Sequence, residues 1–160
     1  MATQYTAGLT AGQVLTAATM NQIGAAWETF TPTWTAAITN PVIGNGTIKG
    51  RYAQIQKVVI AQYWITTGST TTYGNGKYFL SLPITAATTL DSYPAIGNGY
   101  IMDASAASSH VVASHVDNSS TTRFGLKFTG AGSFGDVTNT VPFTFATGDQ
   151  ITASIIYQGS

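Results

Sequence analysis

The chain of 160 residues contains no cysteine, which excludes disulfide bonds, thiol redox chemistry and zinc sites built from cysteine. Charged residues are also scarce, at 8% against about 25% in an average soluble protein. Six basic residues balance six acidic ones, so no strong field attracts nucleic acid or an anionic membrane. Because net charge near zero favours association, we expect an oligomer or a part of a larger assembly.

Long apolar runs are missing as well. No run approaches the roughly 20 residues of a membrane span, so we expect no membrane insertion. The first residues, MATQYTAGLTAG, contain neither a basic region nor a sustained apolar region of the kind found in signal peptides. We therefore expect one domain, with or without a short arm, that folds in a cytoplasm.

A short stretch near the N-terminus is rich in helix-forming residues. Met20, Ile23 and Trp27 fall at i, i+3 and i+7, which is one stripe of a helix, and Thr16 is a suitable N-cap. A helix this short is marginal in water unless it packs on another surface. The pattern predicts an N-terminal arm, residues 1–28, whose helix packs either on its own domain or on a neighbouring subunit.

From Phe30 onward, β-branched and aromatic residues are abundant and turn residues recur at short intervals, which is typical of β structure. Alternation of apolar and polar residues predicts strands over 47–55, 58–66, 77–82, 96–102, 110–116, 122–128 and 151–157. Many short strands separated by turns indicate a sandwich or a barrel. The sequence therefore predicts an all-β domain over residues 29–160.

Gly-Asn-Gly occurs three times, at 44–46, 74–76 and 97–99. A dinucleotide-binding loop would need GxGxxG between a strand and a helix, but a strand pattern follows each copy. Because glycine and asparagine tolerate positive φ, Asn-Gly between apolar alternations is a strong turn signal. We interpret all three copies as turns rather than ligand loops.

Residues with catalytic chemistry are few and scattered. The six acids stand singly, mostly beside turn residues, where they cap their own backbone. His110 and His115 are five apart on a predicted strand, so they point to opposite faces and cannot chelate one metal ion together; we expect surface or interface histidines. No GxSxG elbow is present. The sequence therefore predicts no catalytic residues, no metal site and no cofactor.

Aromatic residues are the other notable feature, with three tryptophans, eight tyrosines and seven phenylalanines. Exposed aromatic side chains bind sugars, because their faces are apolar and their edges can hydrogen-bond. Trp34, Trp64, Tyr73 and Tyr93 are candidates, although core packing is the commoner role for tryptophan. Tyr73 and Tyr93 lie in predicted loops and are therefore the better candidates for glycan contact. A site for single-stranded nucleic acid would require aromatic residues interleaved with Lys and Arg. Only Lys49, Arg51 and Lys57 cluster, so no nucleic-acid partner is expected.

Six stretches, taken in order along the chain, resemble a known family. They are LTAGQVLTAATMNQI (9–23), FTPTWT (30–35), NPVIGNGTIKGRYAQIQKVV (40–59), LSLPI (80–84), IGNGYIMDAS (96–105) and PFTFATGDQITASIIYQ (142–158). Their succession is similar to that of small virion proteins of tailed bacteriophages, described as minor tail, fibre or capsid decoration proteins. No single stretch is diagnostic, and the 106–140 region matches least.

The resemblance implies a jelly-roll-like antiparallel β-sandwich that assembles as a homotrimer on the virion and has no enzymatic activity. No stalk sequence is present, which favours a compact knob. Met20, Ile23 and Trp27 of the arm would then dock on the major capsid protein or on a tail protein, and the virion would assemble in the bacterial host cytoplasm. The alternative hypothesis is an adhesion module that binds a receptor or a host surface glycan through Tyr73 and Tyr93.

Overall fold

The computed structural model describes residues 14, 16, 26–88, 95–130 and 133–160, and the regular secondary structure in these residues is entirely β-strand. In chain order the strands are β1 (Glu28–Phe30), β2 (Trp34–Ala36), β3 (Thr47–Ile55), β4 (Val58–Thr66), β5 (Tyr78–Ser81), β6 (Ala95–Asp103), β7 (Ser108–Val116), β8 (Arg123–Gly130), β9 (Ser133–Asp136) and β10 (Gln150–Gln158). The predicted all-β class is confirmed.

The strands form one antiparallel sheet in the order β1-β3-β4-β10-β6-β7-β8-β5-β2, with β9 paired to β8. The sheet is curled into a half-barrel. Its two edge strands, β1 and β2, are consecutive in the chain and are joined by residues 31–33 alone. Because three residues can bridge at most about 14 Å between the strands, the two edges of the sheet must lie close to each other.

The core fills the concave side of this sheet. Tyr63 on β4 packs against Phe30 of β1 and Phe124 of β8, with ring centroids 5.5 Å and 4.7 Å away. Three strands separate β4 from β8 in the sheet order, so these contacts cross the interior. The Tyr63 hydroxyl also donates to the Ser81 carbonyl at 3.2 Å. The curl of the sheet therefore closes on an aromatic core.

A buried carboxylate holds one end of the sheet together. Asp149 is fully buried just before β10, and its Oδ1 accepts from the Ala104 amide at 2.9 Å. Its Oδ2 accepts from the Ala146 amide at 2.6 Å, while its backbone carbonyl accepts from the Thr67 amide at 2.9 Å. Asp149 thus joins the turn after β6 to the loop before β10 through its side chain, and it holds the residue that follows β4 through its backbone.

The Gly-Asn-Gly copies divide into two classes. Gly44 and Gly74 have φ near +60° and lie in connections that lead to β3 and β5, as expected for turns. The turn interpretation is wrong for the third copy, which lies inside β6 beside a register shift. There a Cβ on Gly97 would collide with the carbonyl oxygen of Ser154, so the glycine permits close approach of two strands rather than positive φ.

The predicted N-terminal helix lies almost entirely outside the described residues. Of its twelve residues, only Thr16, Ala26 and Trp27 are described, and these three have no regular secondary structure. The division into an arm over 1–28 and a sandwich domain over 29–160 remains a prediction. Glu28 already belongs to β1, where its Oε2 accepts a hydrogen bond from the Tyr52 hydroxyl at 2.7 Å.

Candidate functional site

The side of the sheet that faces away from the core is called here the outer face. Along β4, Val59 and Tyr63 are buried whereas Gln62 and Trp64 are accessible, because alternate residues of a strand point to opposite sides. The same alternation along β3, β10, β6 and β7 extends this face over five neighbouring strands. Its side chains therefore form rows that run across the sheet.

One row places two aromatic side chains in register on either side of a threonine. Strand pairing aligns Trp64 on β4 with Thr152 on β10, and Thr152 with Tyr100 on β6. Because adjacent strands are ≈ 4.8 Å apart, the two aromatic residues are separated by about 10 Å. Trp64 is 39% exposed and Tyr100 is 38% exposed, so both rings are available to a partner.

A groove of about 380 Å³ lies between these two rings. Its walls and floor include Trp64, Tyr100, Gln62, Asn98, Thr152 and Ser154. None of the described residues that line it is charged. Apolar walls with a few convergent polar groups are typical of small-ligand sites.

The floor of the groove is held by hydrogen bonds that cross from β10 to β6. Ser154 Oγ donates to Asn98, whose backbone oxygen and Oδ1 both lie 3.1 Å away. Thr152 Oγ1 donates to the Tyr100 carbonyl at 3.2 Å. Gln62 Oε1 accepts from Arg51 Nε at 2.7 Å. The side-chain nitrogens Gln62 Nε2 and Asn98 Nδ2 make no hydrogen bond within the part of the chain that the structure describes. Both can therefore donate to a ligand.

Arg51 fixes the position of the tryptophan wall. Its Cζ lies 5.3 Å from the centroid of the Trp64 ring and 4.6 Å from that of Trp27. A guanidinium over an indole face is attracted by the ring quadrupole, by roughly 0.5–1 kcal/mol at exposed sites. The arginine therefore links the residue before β1 to the edge of the groove and limits the freedom of Trp64.

A second part of the outer face is apolar. Ile55 and Val58 are paired across the β3–β4 hairpin, and Ile60 is paired with Ile156 of β10. Val58 and Ile156 are both 50% exposed. We call Ile55, Val58, Ile60 and Ile156 the apolar patch. It adjoins the groove, because Ile60 and Ile156 lie two residues, or roughly 7 Å, from Gln62 and Ser154 along their strands.

The predicted docking and glycan residues are only partly within the described chain. Met20, Ile23 and Tyr93 lie outside the described residues. Trp27 is about half exposed and stacks on Arg51. Tyr73 is half-buried and packs against the core, with its ring centroid 6.3 Å from that of Phe145. Docking through Trp27 and glycan contact through Tyr73 stay predictions.

The other two tryptophan candidates have opposite environments. Trp34 is buried, with its ring centroid 5.0 Å from that of Tyr78, so it belongs to the core. Trp64 is on the outer face. Sequence reasoning missed Tyr100, although its alternation with the buried Ile101 marked it as an outward residue.

Asp103, Asp117 and Asp149 cap turns, as expected, whereas Glu28 lies in β1 and Asp136 in β9, and Asp91 is outside the described residues. Asp103 Oδ1 accepts from the backbone amides of Ser105 and Ala106. Asp117 accepts from the Ser119 amide, and its Oδ2 lies 2.7 Å from Arg123 Nε. Burial alone would raise the pKa of Asp117, but the hydrogen bonds from Ser119 and Arg123 outweigh it and lower the pKa below its usual value. These carboxylates hold loops together.

The two histidines point to opposite faces of β7, as predicted. The His110 ring packs against Phe128 and Phe143, with centroids 5.4 Å and 5.6 Å away. The expectation of a surface histidine is wrong for His115, which is buried beside Gly125 because that glycine leaves room for its ring. Burial lowers the pKa of His115 below its usual value. The described residues contain no group of three or more His, Cys, Asp or Glu that could hold a metal ion.

Comparison of the chain with known protein families, with curated proteins and with solved structures finds no significant match. In the part of the chain that is described, no helix has the length and apolar character needed to cross a membrane.

Proposed function

We propose that the protein is a non-enzymatic structural component of a tailed-bacteriophage virion. Its β domain is a jelly-roll-like sandwich that forms a homotrimeric knob on the capsid or tail surface. The N-terminal arm docks each copy on the major capsid protein or on a tail protein. The virion assembles in the cytoplasm of the bacterial host.

The apolar patch is the observation that carries this proposal. Contiguous apolar side chains on an otherwise polar surface mark protein–protein contacts, and the centres of such contacts are depleted in charge. The patch consists of aliphatic side chains from three adjacent strands. The pairing of these strands holds them side by side on the outer face, which suits contact with a second copy of the chain.

The start of β1 supports the role of the arm. β1 is anchored to β3 by strand pairing and by the hydrogen bond between Glu28 and Tyr52. Trp27 immediately precedes it and stacks on Arg51. The segment that leads into β1 is therefore anchored to the β domain at its C-terminal end. Docking through Met20 and Ile23 would then attach the β domain to the particle.

The oligomeric state tests the proposal. In sedimentation velocity we expect a species of three times the 16.7 kDa chain mass. Changing Val58→Lys or Ile156→Lys puts an unpaired charge at the centre of the patch and should yield monomers. Ile38→Lys is the matched control, because Ile38 is even more exposed but lies outside the outer face. A monomeric wild type, or intact trimers of both patch variants, would contradict the role of the patch.

A further inference from the structure

We infer that the groove between Trp64 and Tyr100 is a binding site for a neutral sugar ring of a glycan. This site does not depend on the virion proposal. It also differs from the glycan contact predicted from the sequence through Tyr73 and Tyr93, because it joins Trp64, one of the sequence candidates, to Tyr100.

The two walls match the apolar faces of a pyranose. Each face of such a ring presents C–H groups, which pack on the face of an aromatic side chain. The spacing of about 10 Å between the strands that carry Trp64 and Tyr100 leaves room for a ring to stack on either wall. The volume of about 380 Å³ is within the range of ≈ 300–1,000 Å³ typical of small-ligand sites.

The floor matches the hydroxyl groups at the edge of the sugar. Gln62 and Asn98 each carry an amide nitrogen that has no acceptor among the described residues, and each nitrogen can donate two hydrogen bonds. The Ser154 and Thr152 oxygens have donated their protons to β6, so they remain acceptors for a hydroxyl. A sugar hydroxyl both donates and accepts, and this floor offers both partners.

The arrangement is also pre-organised. Gln62 is oriented by its hydrogen bond from Arg51, and the same guanidinium lies against the Trp64 ring. Asn98 is held by Ser154. Because these side chains are already fixed, less conformational entropy is lost when a ligand binds.

The charges around the groove select the class of ligand. An acidic sugar would call for a cationic lining, whereas the described lining is uncharged. A nucleic acid strand would need basic residues that follow its phosphates. The basic residues beside Trp64 and Gln62 are Lys49 and Arg51, both on β3 at one side of the groove, and Arg51 already donates to Gln62 and lies against the Trp64 ring. A neutral glycan satisfies the walls and the floor without leaving a charge unpaired.

The test uses the full chain on an array of immobilised neutral and acidic glycans, followed by calorimetry with the neutral glycan that is retained best. We expect retention of neutral glycans by the wild type. Trp64→Ala and Tyr100→Ala should each weaken binding by roughly tenfold. Trp64→Phe, which keeps an aromatic face, should restore most of it. Ile38→Ala is the control, because Ile38 is exposed but lies outside the outer face, and it should bind as the wild type does.

Circular dichroism, melting and sedimentation of every variant separate loss of binding from loss of fold or of assembly. Because Trp64 and Tyr100 are partly exposed, we expect their variants to keep the wild-type fold and mass. The inference is overturned if the wild type retains no neutral glycan, or retains acidic glycans alone. It is also overturned if folded Trp64→Ala and Tyr100→Ala still bind, or if they lose binding only because the oligomer dissociates.

Discussion

Replacement of Asp149 by asparagine should destabilise the fold far more than the small change in shape suggests. The two carboxylate oxygens accept from the Ala104 and Ala146 amides at 2.9 Å and 2.6 Å in a fully buried site. Asparagine keeps one oxygen acceptor but places an NH₂ group where the other was. One backbone amide then loses its acceptor and faces a second donor.

The magnitude follows from these contacts. A hydrogen bond to a charged group stabilises by roughly 1.5–3 kcal/mol, and a buried donor without a partner costs about 1–3 kcal/mol. We expect Asp149→Asn to lower the free energy of unfolding by about 3 kcal/mol. Asp149→Ala, which removes both acceptors, should lower it further.

Urea denaturation followed by tryptophan fluorescence measures this loss, with all variants at one protein concentration because oligomers unfold in a concentration-dependent way. Asp103→Asn is the matched control, since Asp103 caps the neighbouring turn from an exposed position, and it should change stability little. If the urea denaturation curve of Asp149→Asn had the midpoint and slope of the wild-type curve, the Asp149 carboxylate would not stabilise the contact between the turn after β6 and the loop before β10.

Three further predictions follow from the core and the arm. Burial and the neighbouring Glu28 raise the pKa of Tyr52 to about 12 from 10.0, so the unfolded state ionises first and the contribution of Tyr52 to stability should fall by on the order of 2 kcal/mol as the pH rises across this window. Burial also raises the pKa of Tyr63, Tyr78 and Tyr157, so Tyr52→Phe should make the total fall in urea denaturation smaller by that amount, and an unchanged fall would refute the role of Tyr52. Phe124→Ala should lower the free energy of unfolding by about 3–5 kcal/mol, because it leaves a cavity against Tyr63. Phe124→Leu fills most of that cavity and should lower it clearly less. Equal losses for the two variants in urea denaturation would refute the explanation by a cavity. Trp27→Ala should reduce incorporation into particles without lowering the melting temperature of the β domain, and equal occupancy on purified virions would refute the docking role.

The long strands were predictable because each carries its own signal. The expected bounds of β3 and β4 match the structure, since nine residues of alternation on each side of the Gln56–Lys57 turn define both face and register. β1, β2 and β9 have only three or four residues, too few for a period to be visible. They exist because distant strands offer them unpaired backbone groups.

The groove was beyond sequence reasoning for a similar reason. Alternation assigns Trp64, Thr152 and Tyr100 to outward positions, but it does not say which strands are neighbours. β10 pairs with both β4 and β6, and this pairing joins residues far apart in the chain. The third Gly-Asn-Gly led to a wrong prediction because its local sequence is typical of a turn. In the structure it lies inside β6, where Gly97 permits close contact with the backbone of Ser154.

Electron cryo-microscopy of purified phage particles that carry the gene for this chain tests the central claim most directly. We predict a knob of three chains on the capsid or tail surface, with the apolar patches at the contacts between chains and the arm in contact with the particle. Particles that contain no copy of the chain, by imaging and by mass spectrometry of the same preparation, would contradict the claim.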